Sequence, residues 1–184
     1  MSKLPTPWRV TASRTVVKDR WINLRADDCL RADGLEIKPY YILEYPDWVQ
    51  VVAIDEDENL VVIRQYRHGA RKITLELPSG CVDPQDADPI AAGLRELREE
   101  TGYACERARL VGTICNNPQN QTNAIFIVLA EGAYRAGDQS LDESEDISVD
   151  LMPLAEARAL ALSGQFDHSA QIASLLIAIE KREG

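Results

Sequence analysis

The chain has 184 residues, 45% hydrophobic and 27% charged, enough for one domain, or one domain with a small extension, to bury a core without disulfide or metal staples. A formal net charge of −10 argues against nonspecific binding to nucleic acid or to an anionic membrane, because both need a basic footprint. No run of about 18 apolar residues could span a bilayer, and Met1 to Trp8 lacks the apolar stretch of a secretory leader, so a cytoplasmic protein is expected.

Up to about residue 77 the pattern is that of strands. Trp8 to Lys18 and Ile22 to Leu30 are β-rich, and Asp33-Gly34 supplies a turn before Glu36 to Leu43, which predicts an N-terminal antiparallel sheet. Trp48 to Ile54 and Leu60 to Tyr66 are apolar runs joined by a polar connection at 55–59. Thr74 to Leu77 is a shorter run that ends in a turn at Pro78-Ser79-Gly80. A helix follows, with Asp88 as N-cap, Pro89 in its first turn and Gly102 as its C-terminal stop. Two more strands are expected at Ala108 to Ile114 and Ala124 to Ala130, then an acidic segment from Glu131 to Asp146 and a strand from Ile147 to Met152. Pro153 to Ser163 and Ser169 to Lys181 read as amphipathic helices. This order fits an α+β fold, a mixed sheet sandwiched between helices. The four cysteines, Cys29, Cys81, Cys105 and Cys115, are dispersed and have only His68 and His168 to help them. Reduced, mostly buried thiols are expected, with neither a disulfide framework nor a zinc site.

Within the first predicted helix Glu96, Glu99 and Glu100 stand at i, i+3 and i+4, so their carboxylates share one face. Like charges at that spacing repel by a few tenths of a kcal/mol per pair, and burial raises the cost, so the arrangement invites a hard divalent cation that takes oxygen ligands. The alternative is a solvated face on which Arg95 and Glu99 form an ordinary ion pair. The tight turn ending at Gly80 and the stop at Gly102, just past the carboxylates, favour the metal.

From Gly80 to Tyr103 the sequence resembles the Nudix box. Arg95, Glu96, Leu97, Glu99, Glu100, Gly102 and Tyr103 match its second half, while Arg95 falls one position further from Gly80 than in the family pattern. A one-residue insertion between Cys81 and Asp88 accounts for this and puts the loop acid on or beside Asp86. The resemblance extends to the branch that hydrolyses ADP-ribose and related nucleoside diphosphate sugars, through Gln65-Tyr66-Arg67, Glu76-Leu77-Pro78-Ser79-Gly80, the acidic run Asp142 to Ile147, and Gly164-Gln165-Phe166-Asp167 before the last helix.

That resemblance implies a Nudix α/β/α sandwich over 46–184, an N-terminal strand subdomain over 1–45 that mediates a homodimer, and an enzyme cleaving phosphorus-containing anhydrides. It implies Mg²⁺, replaceable by Mn²⁺, on Glu96, Glu99, Glu100 and the carbonyl of Ser79. Glu143, with Glu145 as alternate, would be the catalytic base, and Arg67 would clamp a phosphate. Trp48 is a candidate for stacking on a nucleobase and Glu76 for a hydrogen bond to it. The implied partner is a nucleoside diphosphate sugar, with ADP-ribose favoured. GDP-mannose, coenzyme A, a dinucleoside polyphosphate or an oxidised nucleotide are the competing substrates, and a nucleotide-binding Nudix domain without turnover is the competing class. The segment 115–123 departs from the standard ADP-ribose enzyme and is expected to reshape the sugar pocket.

Overall fold

The computed structural model describes residues 4–183, so the first residues of the N-terminal segment read above lie outside it. The elements run β1 (Arg9–Lys18), β2 (Asn23–Leu30), β3 (Glu36–Leu43), β4 (Trp48–Ile54), β5 (Asn59–Arg67), β6 (Lys72–Glu76), β7 (Ser79–Cys81), α1 (Pro89–Thr101), β8 (Tyr103–Cys115), β9 (Ala124–Arg135), β10 (Ile147–Pro153), α2 (Leu154–Ser163) and α3 (Ser169–Glu183). They fall into two units. One joins the chain up to Pro46 with 117–123, and the other holds 47–116 and 124–184.

In the first unit β1, β2 and β3 form an antiparallel sheet in sequence order. Tyr40 donates its hydroxyl proton to the carbonyl of Gln119, and the N–H of Leu43 donates to the carbonyl of Asn120 over 2.7 Å, which ties 117–123 to β3. Chain order alone did not suggest that this segment belongs with the N-terminal strands. Every residue of β1 is exposed, Val10, Val16 and Val17 included.

The second unit is built on a mixed sheet, β10-β5-β4-β9-β8, with β6 extending β5 and β7 extending β4. Alternation decides its layers. Val49, Val51 and Ala53 of β4, with Val128 and Ala130 of β9, pack with Ala92 and Leu97 of α1. Val52, Ile54, Ile127 and Leu129 pack on the other side with Ala157, Ala161, Phe166, Leu175 and Ala178. Both faces are covered, so these two strands, which pair in parallel, are apolar along most of their paired length rather than half polar, with buried Gln50 the exception in β4. An α+β sandwich with a separate N-terminal sheet is therefore the observed fold.

Three expectations need correction. Ser79 and Gly80 are not a turn: with Cys81 they pair antiparallel to Trp48, Val49 and Gln50, because the chain must run alongside β4 to reach α1. The strands β8 and β9 pair from Tyr103↔Arg135 to Cys115↔Ala124, well beyond their apolar cores, since a long hairpin satisfies backbone groups whatever the side chains. All four cysteines are free, but only Cys29 is buried.

Candidate active site

The acid-bearing helix is fixed at both ends by its caps. The Asp88 carboxylate accepts the N–H of Ala91 at 2.8 Å, and Gly102 takes the left-handed conformation at φ 74° while its N–H returns to the carbonyl of Arg98. Gly93 lets the helix lie close to the sheet: a Cβ there would press on methyls of Val49, Val51 and Val128 at 3.1 to 3.2 Å. With this face fixed, Glu96 and Glu100 turn toward β7 and Glu99 toward solvent.

Each carboxylate has a distinct environment. Glu100 is 5% exposed, and its Oε2 accepts the N–H of Ser79 at 2.8 Å. Burial pushes its carboxyl up to about 8; the Ser79 hydrogen bond opposes this, while the charges of Glu96 and Glu145 add to it. Glu96 is raised too, first by burial, with Arg95 opposing. Its carboxylate lies over Gly80, where a Cβ would collide with it, so the glycine leaves the space that this side chain uses. Glu99 is 44% exposed and accepts Nη1 of Arg95 at 3.1 Å. Among the described residues no three His, Cys, Asp or Glu side chains stand close enough to hold a metal ion as they are. The donor set nevertheless fits a hard cation: two largely buried carboxylates held toward the proton, next to the Ser79-Gly80 backbone, gain their charged form when a divalent ion replaces that proton.

Arg95 joins the pieces. Its guanidinium donates to both oxygens of Asp86 at 3.1 and 3.0 Å, to Glu96 at 2.8 Å, to Glu99 and to the carbonyl of Cys81. Asp86 also accepts the N–H of Asp83, so the loop between β7 and α1 keeps its brace despite the extra residue. Arg67, the candidate phosphate clamp, already has a partner. Its fork is engaged by Glu76, at 2.7 and 2.5 Å: Arg67 is opposite Lys72 and Glu76 opposite Ile63 on the same face of the β5–β6 pair, and the long arginine side chain reaches along the strands to the buried carboxylate. Burial works against the charge of Glu76, but Arg67 and the Thr74 hydroxyl outweigh it and hold the carboxyl below its usual value. Gln171 completes the group, accepting from the N–H of Leu77 and donating to Glu76 at 3.3 Å.

Of the two acids after β9, Glu143 is exposed, whereas Glu145 is half-buried and its charge acts on Glu96, Glu100 and Arg67. Trp48 is half-buried at the start of β4, opposite Cys81. Glu96, Glu100, Ser79, Arg67, Glu76 and Glu145 thus form one neighbourhood at the α1 side of the sheet, with Glu99 on its outer rim. Sequence reasoning missed Gln139 and Gln171, which lie in no motif; their partners, main-chain groups of Glu100, Ile147 and Leu77 and the carboxylate of Glu76, belong to other segments of the chain.

The sequence matches the Nudix domain family over residues 45–175 and the nucleoside diphosphate sugar hydrolase N-terminal domain over residues 8–43. It is 31% identical over 143 residues to a methanol dehydrogenase activator of Bacillus methanolicus, covering 77% of this chain and 76% of that protein. It is 29% identical to an ADP-ribose pyrophosphatase of Mycobacterium tuberculosis, covering 81% and 72% of the two chains. In fold it resembles the crystal structure of an ADP compounds hydrolase, with a TM-score of 0.86 and 24% identity, over 100% of this chain and 98% of the other. The braced helix with its three glutamates and the match across the whole α/β/α unit lead to one conclusion: the chain belongs to the Nudix domain family and is a hydrolase of that family.

Proposed function

We propose that this hydrolase cleaves the diphosphate of a nucleoside diphosphate sugar with Mg²⁺, Mn²⁺ serving as substitute, and that ADP-ribose is the favoured substrate, giving AMP and ribose 5-phosphate. The observation that carries the reading is the tandem of two family matches, a nucleoside diphosphate sugar hydrolase N-terminal domain directly ahead of the Nudix domain. The ADP-ribose pyrophosphatase name of the mycobacterial relative supports the choice of sugar.

Glu96, Glu99 and Glu100 would hold the ion, with the carbonyl of Ser79 as a further ligand. When bound, the ion neutralises the phosphoryl oxygens and lowers the pKa of water. The protein's own groups do the rest. Arg95 and Asp86 keep α1 against β7, so that Glu96 lies over Gly80 and Glu100 beside Ser79. A loop carboxylate takes the proton of the attacking water as the oxygen bonds to phosphorus and the bridging P–O bond breaks. Glu145 is better situated for this than Glu143, since its charge already reaches Glu96 and Glu100. Arg67, held by Glu76, presents its remaining N–H groups to a phosphate, and Trp48 offers a ring to the base. The N-terminal unit mediates a homodimer, a role suited to the exposed valines of β1. Four free cysteines accord with a reducing, cytoplasmic setting.

The test is a panel of ADP-ribose, GDP-mannose, other nucleotide sugars, coenzyme A and dinucleoside polyphosphates, each with Mg²⁺ and Mn²⁺ and with products identified. ADP-ribose should be turned over fastest, to AMP and ribose 5-phosphate. Glu99→Gln and Glu100→Gln should each lower the rate by at least about 100-fold, in line with the several kcal/mol a metal ion contributes. Unchanged rates in both variants would refute the metal site. No turnover of any compound, with nucleotide binding retained, would favour a non-catalytic binding domain.

A further inference from the structure

The C-terminal end of α1 leaves carbonyls without partners inside the helix, and the segment after β9 supplies them. The N–H groups of Ala136 and Gly137 donate to the carbonyl of Gly102 at 2.9 and 3.1 Å, and the N–H of Ser140 donates to the carbonyl of Glu99 at 2.8 Å. Between them the side chain of Gln139 makes two bonds from one nitrogen, to the carbonyl of Glu100 at 2.6 Å and to the carbonyl of Ile147 at 3.1 Å. Glu100 is a candidate metal ligand in α1, and Ile147 is the first residue of β10. One amide therefore joins the acid-bearing helix to the strand on the far side of the acidic segment, and both ends of 140–146 are fixed. Inside that span Asp142 and Glu145 close a turn: the N–H of Glu145 donates to the carbonyl of Asp142 at 2.9 Å, and the N–H of Asp142 to the carboxylate of Glu145 at 3.0 Å.

We propose that Gln139 is a positioning residue that clamps the acidic loop to α1 and β10, so that the loop's catalytic carboxylate is held over Glu96 and Glu100. The amide has the two N–H donors this needs, and both acceptors are main-chain carbonyls, so the clamp senses the position of the two elements rather than the identity of their side chains. Shared anchoring on the carbonyls of Glu99 and Glu100 means that α1 and the loop move as one. A base displaced by about 1 Å loses on the order of 100-fold in rate, so an amide outside every motif can govern turnover. The inference rests on the proposed hydrolysis for its kinetic consequence and on the hydrogen bonds alone for its structural one.

Two variants test it. Gln139→Ala removes the side chain, and Gln139→Glu keeps its length without the donors. Hydrogen exchange of the full chain should be faster across 140–146 in both, with β4 and β9 as protected as in the parent; unchanged exchange at 140–146 overturns the proposal whatever the substrate proves to be. In the hydrolysis assay kcat should fall about tenfold with KM within about twofold. Whichever of Glu143→Gln and Glu145→Gln costs more rate should then lose nothing further when combined with Gln139→Ala, because a clamp acts only through the base that it holds. Additive losses would overturn the positioning role. Absence of turnover in the parent protein would instead count against the proposed function, and the exchange result would still decide the clamp.

Discussion

Buried Glu76 has a charge that only its neighbours make tolerable. Its carboxylate is 3% exposed, yet Arg67 and Thr74 hold it in the ionised form. A carboxyl held below its usual value contributes stability above that value, 4.5 for a glutamate, and the contribution is lost as pH falls through the folded-state value. Glu76→Gln should therefore lower Tm at pH 7 and flatten its decline below about pH 4.5. Because Arg67 can still reach water, the neutral-pH loss should be about 1–3 kcal/mol, measurable by denaturant unfolding at pH 7 and pH 4. An acid limb as steep as that of the parent would show that the pair does not govern it. Glu100 has the opposite environment. Burial and like charges favour its proton, whereas Glu99, partly exposed and paired with Arg95, is less constrained.

The contact of β7 with α1 decides where the carboxylates of Glu96 and Glu100 lie, one over Gly80 and the other on the N–H of Ser79. Gly80 is required there for space, since a Cβ would collide with the end of the Glu96 side chain, which is flexible and can swing away. Gly80→Ala should accordingly fold with a Tm close to that of the parent while Mg²⁺-dependent hydrolysis falls by on the order of tenfold or more; full activity would mean that Glu96 works from elsewhere. The caps of α1 were legible in the sequence because each is a local rule: Asp88 three residues before Ala91, Pro89 in the first turn, Gly102 in the left-handed region. Strand β7 was not, because its reason is a neighbour, β4, far away in the chain. The same applies to Gln139, whose two acceptors belong to α1 and β10.

Across the whole molecule, the two sheets differ in how they are covered. The mixed sheet is covered on both faces, whereas β1 of the N-terminal sheet exposes Val10, Val16 and Val17 along with the nearby Trp8 and Trp21. Apolar side chains gathered on one strand invite a partner, and sedimentation velocity at micromolar concentration should give a dimer. Val16→Asp combined with Val17→Asp should shift it to a monomer, and a parent that sediments as a monomer would remove the N-terminal unit's proposed role. The acidity noted at the outset has a local meaning as well. Much of the negative charge near the site lies on residues paired with arginine, Asp86, Glu96 and Glu99 with Arg95 and Glu76 with Arg67, whereas Glu100 and Glu145 form no ion pair among the described residues.

What the sequence determined by itself was what is set by short range: the order of strands and helices apart from β7, the capped helix, the spacing that puts Glu96, Glu99 and Glu100 on one face, and a family resemblance carried by contiguous motifs. The tertiary structure alone decided which of those carboxylates is buried, that Arg67 answers to Glu76, that Glu145 is half-buried where Glu143 is exposed, and that Gln139 joins helix to strand. Periodicity fixes the direction of a side chain on its own element, whereas burial and hydrogen-bond partners depend on which other elements the fold brings against it.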